Sequence, residues 1–169
     1  LGSSGEQDWQ IRGGHRFWIA PELPEITYEP DNEPVPAEAG ENSLVIRQPA
    51  GAQTGVSKTI RIAFDPADGS VVLDHTLRNE GEKSLEAAPW ALSVMNQNGR
   101  AVIPLPAFIA HSERLLHNQE WSLWGYTDLS DPRWTITPSY LFLRQDPGSG
   151  PTKLGIAHRE GWVAYQIGE

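Results

Sequence analysis

Apolar positions in this chain recur with a period of two. No stretch keeps a helical period for three turns between its glycines and prolines. In 58–64, Ile60, Ile62 and Phe64 share one face and Arg61 points the other way. In 70–79, Val71, Leu73, His75 and Leu77 share a face opposite Asp74, Thr76 and Arg78. Between these runs lies Asp65-Pro66-Ala67-Asp68-Gly69, a turn of hairpin length. A second, sharper hairpin is expected where 91–95 and 101–105 flank Asn98-Gly99, the dipeptide favoured by a type I′ turn with both central residues at positive φ. Glu80-Gly81-Glu82-Lys83 is a third polar turn. Further strands are expected at 15–20, 43–48, 134–137, 140–144, 153–158 and 162–167.

Two irregular segments interrupt the strands. Residues 21–41 carry prolines at 21, 24, 30, 34 and 36, which exclude a helix and predict an extended surface loop. Residues 110–132 hold Trp121, Trp124, Tyr126, His111 and His117, with room for one helical turn at the start. Short strands at this spacing predict an all-β fold, an antiparallel sandwich, with binding carried by the long loops. Leu1-Gly2-Ser3-Ser4-Gly5 reads equally as a tag remnant, a processed terminus or the start of an excised fragment. Residues 1–6 are therefore left out, and 7–169 is expected to form a single β-sandwich domain.

Composition narrows the chemistry. The formal charge of −9 argues against phosphate-backbone binding, so no nucleic-acid partner is expected. The chain has no cysteine, which excludes disulfides, zinc-thiolate sites and cysteine nucleophiles but leaves the compartment open. No apolar run reaches 18 residues, so no membrane-spanning helix is expected. No metal-ligand or nucleotide motif is present and no cofactor is expected; Gly148-Ser149-Gly150-Pro151-Thr152-Lys153 lacks phosphate-loop spacing and reads as a turn. His111 and His117 read as structural or solvated, and His75 as a hydrogen-bonded core histidine on an otherwise apolar strand face. Glu22, Glu25, Glu29, Asp31 and Glu33 form an acidic loop, although carboxylate pairs in glycosidases are spatial and leave no linear motif.

Seven tryptophans remain to be placed. Trp90, Trp134 and Trp162 fall in strands and are expected in the core. Trp18, in His15-Arg16-Phe17-Trp18, and Trp124 with Tyr126, beside Asp128, Asp131 and Arg133, combine flat rings with polar heads. Rings stack on the C–H faces of sugars while Asp, Arg, His and Glu bond the hydroxyls, so carbohydrate is the expected ligand.

The string Ile11-Arg12-Gly13-Gly14-His15-Arg16-Phe17-Trp18-Ile19-Ala20-Pro21-Glu22 resembles a segment of galactose-mutarotase-like proteins, especially the hexose-6-phosphate epimerase branch. His75–Asn79, Gly81 and Ala88-Pro89-Trp90 are similar to a later segment of that superfamily. The match is best to an uncharacterised mutarotase-like family. It shares Pro30-Asp31-Asn32-Glu33-Pro34, the run 124–133 and the closing Gly161-Trp162-Val163-Ala164-Tyr165. The resemblance spans about residues 9–167. It implies a β supersandwich, here shortened or partial, and a sugar-like ligand contacted by Arg12. The family's catalytic histidine pair has no counterpart, with Trp90 in the first position, and neither Glu160 nor Glu169 is matched to its glutamate.

The expected function is therefore a mutarotase-like carbohydrate-binding domain. Its ligand-binding residues would be Arg12, His15, Arg16, Trp18, Glu22, Trp124, Tyr126, Asp131 and Arg133. Two alternatives stand beside it. One is a sugar epimerase or glycoside-acting enzyme using His15 or His75 with Glu22 or Asp131 as acid and base. The other is an assembly domain that forms a homodimer through sheet edges or faces.

Overall fold

The computed structural model describes residues 13–29 and 34–168. The chain is all-β and its sheets are antiparallel. It forms two compact units that divide between Val94 and Met95, and each is described by itself.

In the first unit, β1 (Gly14–Ala20) ends at a cis Ala20–Pro21 peptide and is followed by α1 (Pro24–Thr27), a single turn with Pro24 at its start. The strands β2 (Ala37–Ala39), β3 (Ser43–Gln48), β4 (Val56–Phe64) and β5 (Val71–Asn79) form a four-stranded sheet in that order. The last strand, β6 (Ala88–Val94), pairs with β1. The short helix and β2 both lie in the proline-rich segment, which is therefore not loop throughout. Each is too short for the period to reveal it.

The β4–β5 hairpin follows the alternation. Phe64 pairs with Val71, Ile62 with Leu73 and Ile60 with His75. Asp65 Oδ1 accepts the N–H of Ala67, Asp68 Oδ1 accepts that of Ser70, and Gly69 takes φ of +76°, so the predicted turn residues close the loop. The buried apolar residues of this unit are Phe17, Ile19 and Val56, with Ile19 only 1% exposed. The hydroxyl of buried Thr27 accepts the N–H of Leu23 and donates to the carbonyls of Ile19 and Pro21, tying α1 to the end of β1.

In the second unit, β7 (Arg100–Pro104) is followed by β8 (Trp121–Leu123), β9 (Trp134–Ile136), β10 (Tyr140–Arg144), β11 (Leu154–Ile156) and β12 (Ala164–Gln166). One sheet runs β12-β7-β10-β9 and a smaller one pairs β11 with β8. Leu105, Trp134 and Leu141 form the core, and Trp121, Leu154 and Ile156 of the small sheet pack against it. This is sandwich-like packing of one sheet on another.

Two expectations are corrected. The hairpin across Asn98-Gly99 does not form, because β6 pairs with β1 while β7 pairs with β10 and β12. Asn98 has φ of +64° but Gly99 is not at positive φ, so the type I′ turn is absent. Gly99 is needed for another reason: a Cβ there would collide with the Tyr165 ring, and the Gly99 N–H donates to the Tyr165 hydroxyl. Among the strand tryptophans, Trp134 is core and Trp90 is half-buried. Trp162 is 47% exposed and lies just before β12. The segment 110–132, where one helical turn is expected, has a turn at its start, with the Arg114 N–H bonded to the Ala110 carbonyl.

The Leu141 side chain is fully buried, whereas Phe108 is 89% exposed. We expect Leu141→Ala to cost about 2–5 kcal/mol through lost burial and the cavity it leaves. Phe108→Ala should stay within about 0.5 kcal/mol. Urea unfolding of the two variants beside the parent chain measures both, and equal costs would mean that the described core is wrong.

Candidate functional site

Cross-strand register builds the candidate site. Along β1, His15, Phe17 and Ile19 share one face and Arg16 and Trp18 the other, and the β1–β6 pairing sets His15 opposite Ser93 and Trp18 opposite Trp90. On the first face, His15 Nδ1 lies 2.9 Å from Ser93 Oγ and His15 Nε2 lies 2.8 Å from His75 Nε2. The two imidazole centroids are 5.0 Å apart, so the rings meet nearly end to end. Phe17 stands edge-on to His75 at 4.8 Å and holds its ring. These contacts join β1 to β5, which belong to different sheets. His75 is hydrogen-bonded as expected, but it is half-buried rather than core.

On the other face, Trp18 meets Trp90 and Tyr28 edge to face, both at 5.3 Å between centroids, and the Arg16 guanidinium lies 5.5 Å from the Trp18 ring. The Tyr28 hydroxyl donates to Glu22, which pushes the tyrosine pKa up. Glu22 is thus engaged with Tyr28. A cleft of about 210 Å³ opens beside β1 and is lined by His15, Arg16, Phe17, Trp18, Gln48 and Lys58, among others.

In the second unit, Asp131 and Arg133 form a bidentate pair: Arg133 Nε donates to both carboxylate oxygens and Nη2 to Oδ2 at 2.6 Å. Nη2 also donates to the Gly150 carbonyl. Hydrogen bonds from Arg133 hold the Asp131 carboxyl below its ordinary pKa, and Asp131 in turn raises that of Arg133. These two residues therefore brace the 131–133 turn against the 146–150 turn. Trp124 carries Lys153 Nζ 4.2 Å from its ring centroid, and Tyr126 is exposed.

The predicted residues divide accordingly. His15, Arg16 and Trp18 line one cleft, and His75 joins His15. Trp124, Tyr126, Asp131 and Arg133 belong to the other compact unit. Arg12, Asp31, Glu33, Glu169 and residues 1–6 lie outside the described residues. Sequence reasoning missed Ser93, Lys58 and Gln48. The alternation did show that Lys58 shares a face with Ile60, but no linear signal pairs Ser93 with His15. Among the described residues, no group of three or more His, Cys, Asp or Glu is placed to hold a metal ion, and no helix is long and apolar enough to cross a membrane. No protein-family model, curated protein or solved structure matches the chain.

Burial pushes the His15 pKa below its ordinary value near 6.5, and the neighbouring His75 lowers it further. The unfolded chain therefore takes up this proton at a higher pH than the folded one. The His15 contribution to stability is present above pH 6.5 and is lost as the pH falls through the lowered folded value. We expect the urea midpoint to fall between pH 7.5 and 5, and to fall less in His15→Asn. Parallel slopes for the two proteins would refute this role of the pair.

Proposed function

We propose that the chain is a mutarotase-like carbohydrate-binding domain whose site is the cleft beside β1. The observation that carries this reading is the gathering of Trp18, Arg16, Gln48 and Lys58 around one cleft of about 210 Å³. Rings present a surface for the C–H face of a sugar, and the polar heads reach its hydroxyls. The size suits one ring rather than an oligosaccharide chain. Trp18 is braced by Trp90 and Tyr28, so little side-chain freedom is lost when a ligand stacks. The segment that supplies Arg16 and Trp18 is one that resembles mutarotase-like proteins.

An epimerase reading draws less support. That chemistry needs an acid and a base on one ligand, and among the described residues Glu22 is engaged with Tyr28 and Asp131 with Arg133. An assembly role is the second reading, favoured by the apolar tip of the β4–β5 hairpin, where Phe64, Val71 and Val72 are all exposed.

Titration of the full chain with a panel of neutral, amino and acidic monosaccharides by calorimetry and NMR tests the proposal. We expect saturable binding in the millimolar range or tighter, weakened at least about tenfold by Trp18→Ala, in line with about 1.5 kcal/mol for a stacked ring. Absence of saturable shifts with every sugar would overturn it. Light scattering that shows a dimer dissociated by Val72→Lys would favour assembly instead.

A further inference from the structure

The polar chain on the inner face of β1 has the connectivity of an activated nucleophile. A hydroxyl, an imidazole and a third polar group stand in sequence, each within hydrogen-bond reach of the next: Ser93 Oγ to His15 Nδ1 at 2.9 Å and His15 Nε2 to His75 Nε2 at 2.8 Å. A nucleophile touching a base, with the base oriented by a third group, is the arrangement that makes a serine hydroxyl reactive, and it is recognised by geometry rather than chain order. We propose that Ser93, His15 and His75 act as nucleophile, base and positioning residue, and that the chain cleaves small carboxylic esters by acyl transfer to Ser93.

The arrangement accounts for every proton. With a proton on Nε2, His15 donates to His75 Nε2 and turns the Nδ1 lone pair to the Ser93 hydroxyl. Ser93 Oγ forms a bond to the ester carbonyl carbon while its proton passes to His15 Nδ1. His75, still accepting from Nε2, holds the ring in line. The carbon–oxygen bond to the alcohol then breaks, and the alcohol leaves with the proton from His15. Water attacks the acyl-Ser93 carbonyl and gives a proton to His15. That proton returns to Ser93 Oγ as the carboxylic acid departs. No oxidant, reductant or metal enters. His75 touches no substrate atom and acts through His15, and Phe17 keeps it in place.

Two further features agree with this role. Ser93 is exposed, so a substrate can reach it. A base already held below the ordinary imidazole pKa is unprotonated at neutral pH.

The test uses the full chain with an alkyl fluorophosphonate, read by intact mass and peptide mapping, and with p-nitrophenyl acetate hydrolysis. We expect one equivalent of label on Ser93 and ester turnover that falls at least about 100-fold in Ser93→Ala. That variant removes one exposed hydroxyl, so its melting temperature should match the parent and its result stands whatever the histidine variants do. His15→Phe should lose labelling. His75→Gln keeps an acceptor and should retain labelling with a displaced pH–rate profile, which a merely structural residue would not move. Labelling of Ser93 no faster than that of other serines, label on a different residue, or turnover unchanged in Ser93→Ala would overturn the proposal. The carbohydrate reading is independent of it, because sugar binding is read by titration and ester cleavage by covalent labelling.

Discussion

The register of β1 against β6 is the constraint on which the candidate site depends. Pairing His15 with Ser93 and Trp18 with Trp90 sends alternate β1 residues to opposite faces: His15, Phe17 and Ile19 inward, and Arg16 and Trp18 outward. A slip of one residue would exchange the faces, exposing Ile19 and burying the Arg16 guanidinium. Ile19 at 1% exposure and the Thr27 hydrogen bonds to the Ile19 and Pro21 carbonyls oppose that slip. The polar chain through His15 is thus held in place by apolar burial two and four residues further along the same strand.

That arrangement is only partly legible in the sequence. Period-two alternation exposes the strands because each has one face toward a core and one toward solvent. The β4–β5 hairpin is legible in full, since Asp65, Asp68 and Gly69 carry the turn chemistry within five residues. Asn98-Gly99 carries the same kind of local signal and fails. Each flanking strand has a better partner elsewhere, and the glycine is used to admit the Tyr165 ring instead of to reverse the chain. A turn dipeptide states what the backbone can do, and pairing decides what it does. The Ser93–His15–His75 chain is invisible for a related reason: its members lie 78 and 60 residues apart and meet only through register and sheet packing.

Polar and aromatic residues crowded together in sequence also divide by role once the strands are paired. In the run 124–133, Asp131 and Arg133 saturate each other and the Gly150 carbonyl. An arginine so occupied has few donors left for a ligand, and its contribution is to hold two turns in register. Lys153 Nζ sits over the Trp124 ring and the Thr127 hydroxyl donates to the Lys153 carbonyl, so this loop is tied to the chain that enters β11. Residue types suited to sugar recognition are equally suited to bracing a long loop, and composition alone does not separate the two.

The position of the histidine pair between the core and solvent follows from the cost of polar burial. A fully buried imidazole pair would need every nitrogen partnered, because each unpaired polar atom costs about 1–3 kcal/mol. In open water the hydrogen bond would compete with solvent and order nothing. His75 is half-buried and oriented by Phe17, while His15 and Ser93 are exposed, so the chain is ordered at one end and open to solvent at the other. The same position that makes the pair a weak contributor to stability leaves it open to protons, and the pair sits where β1 meets β5 of the four-stranded sheet.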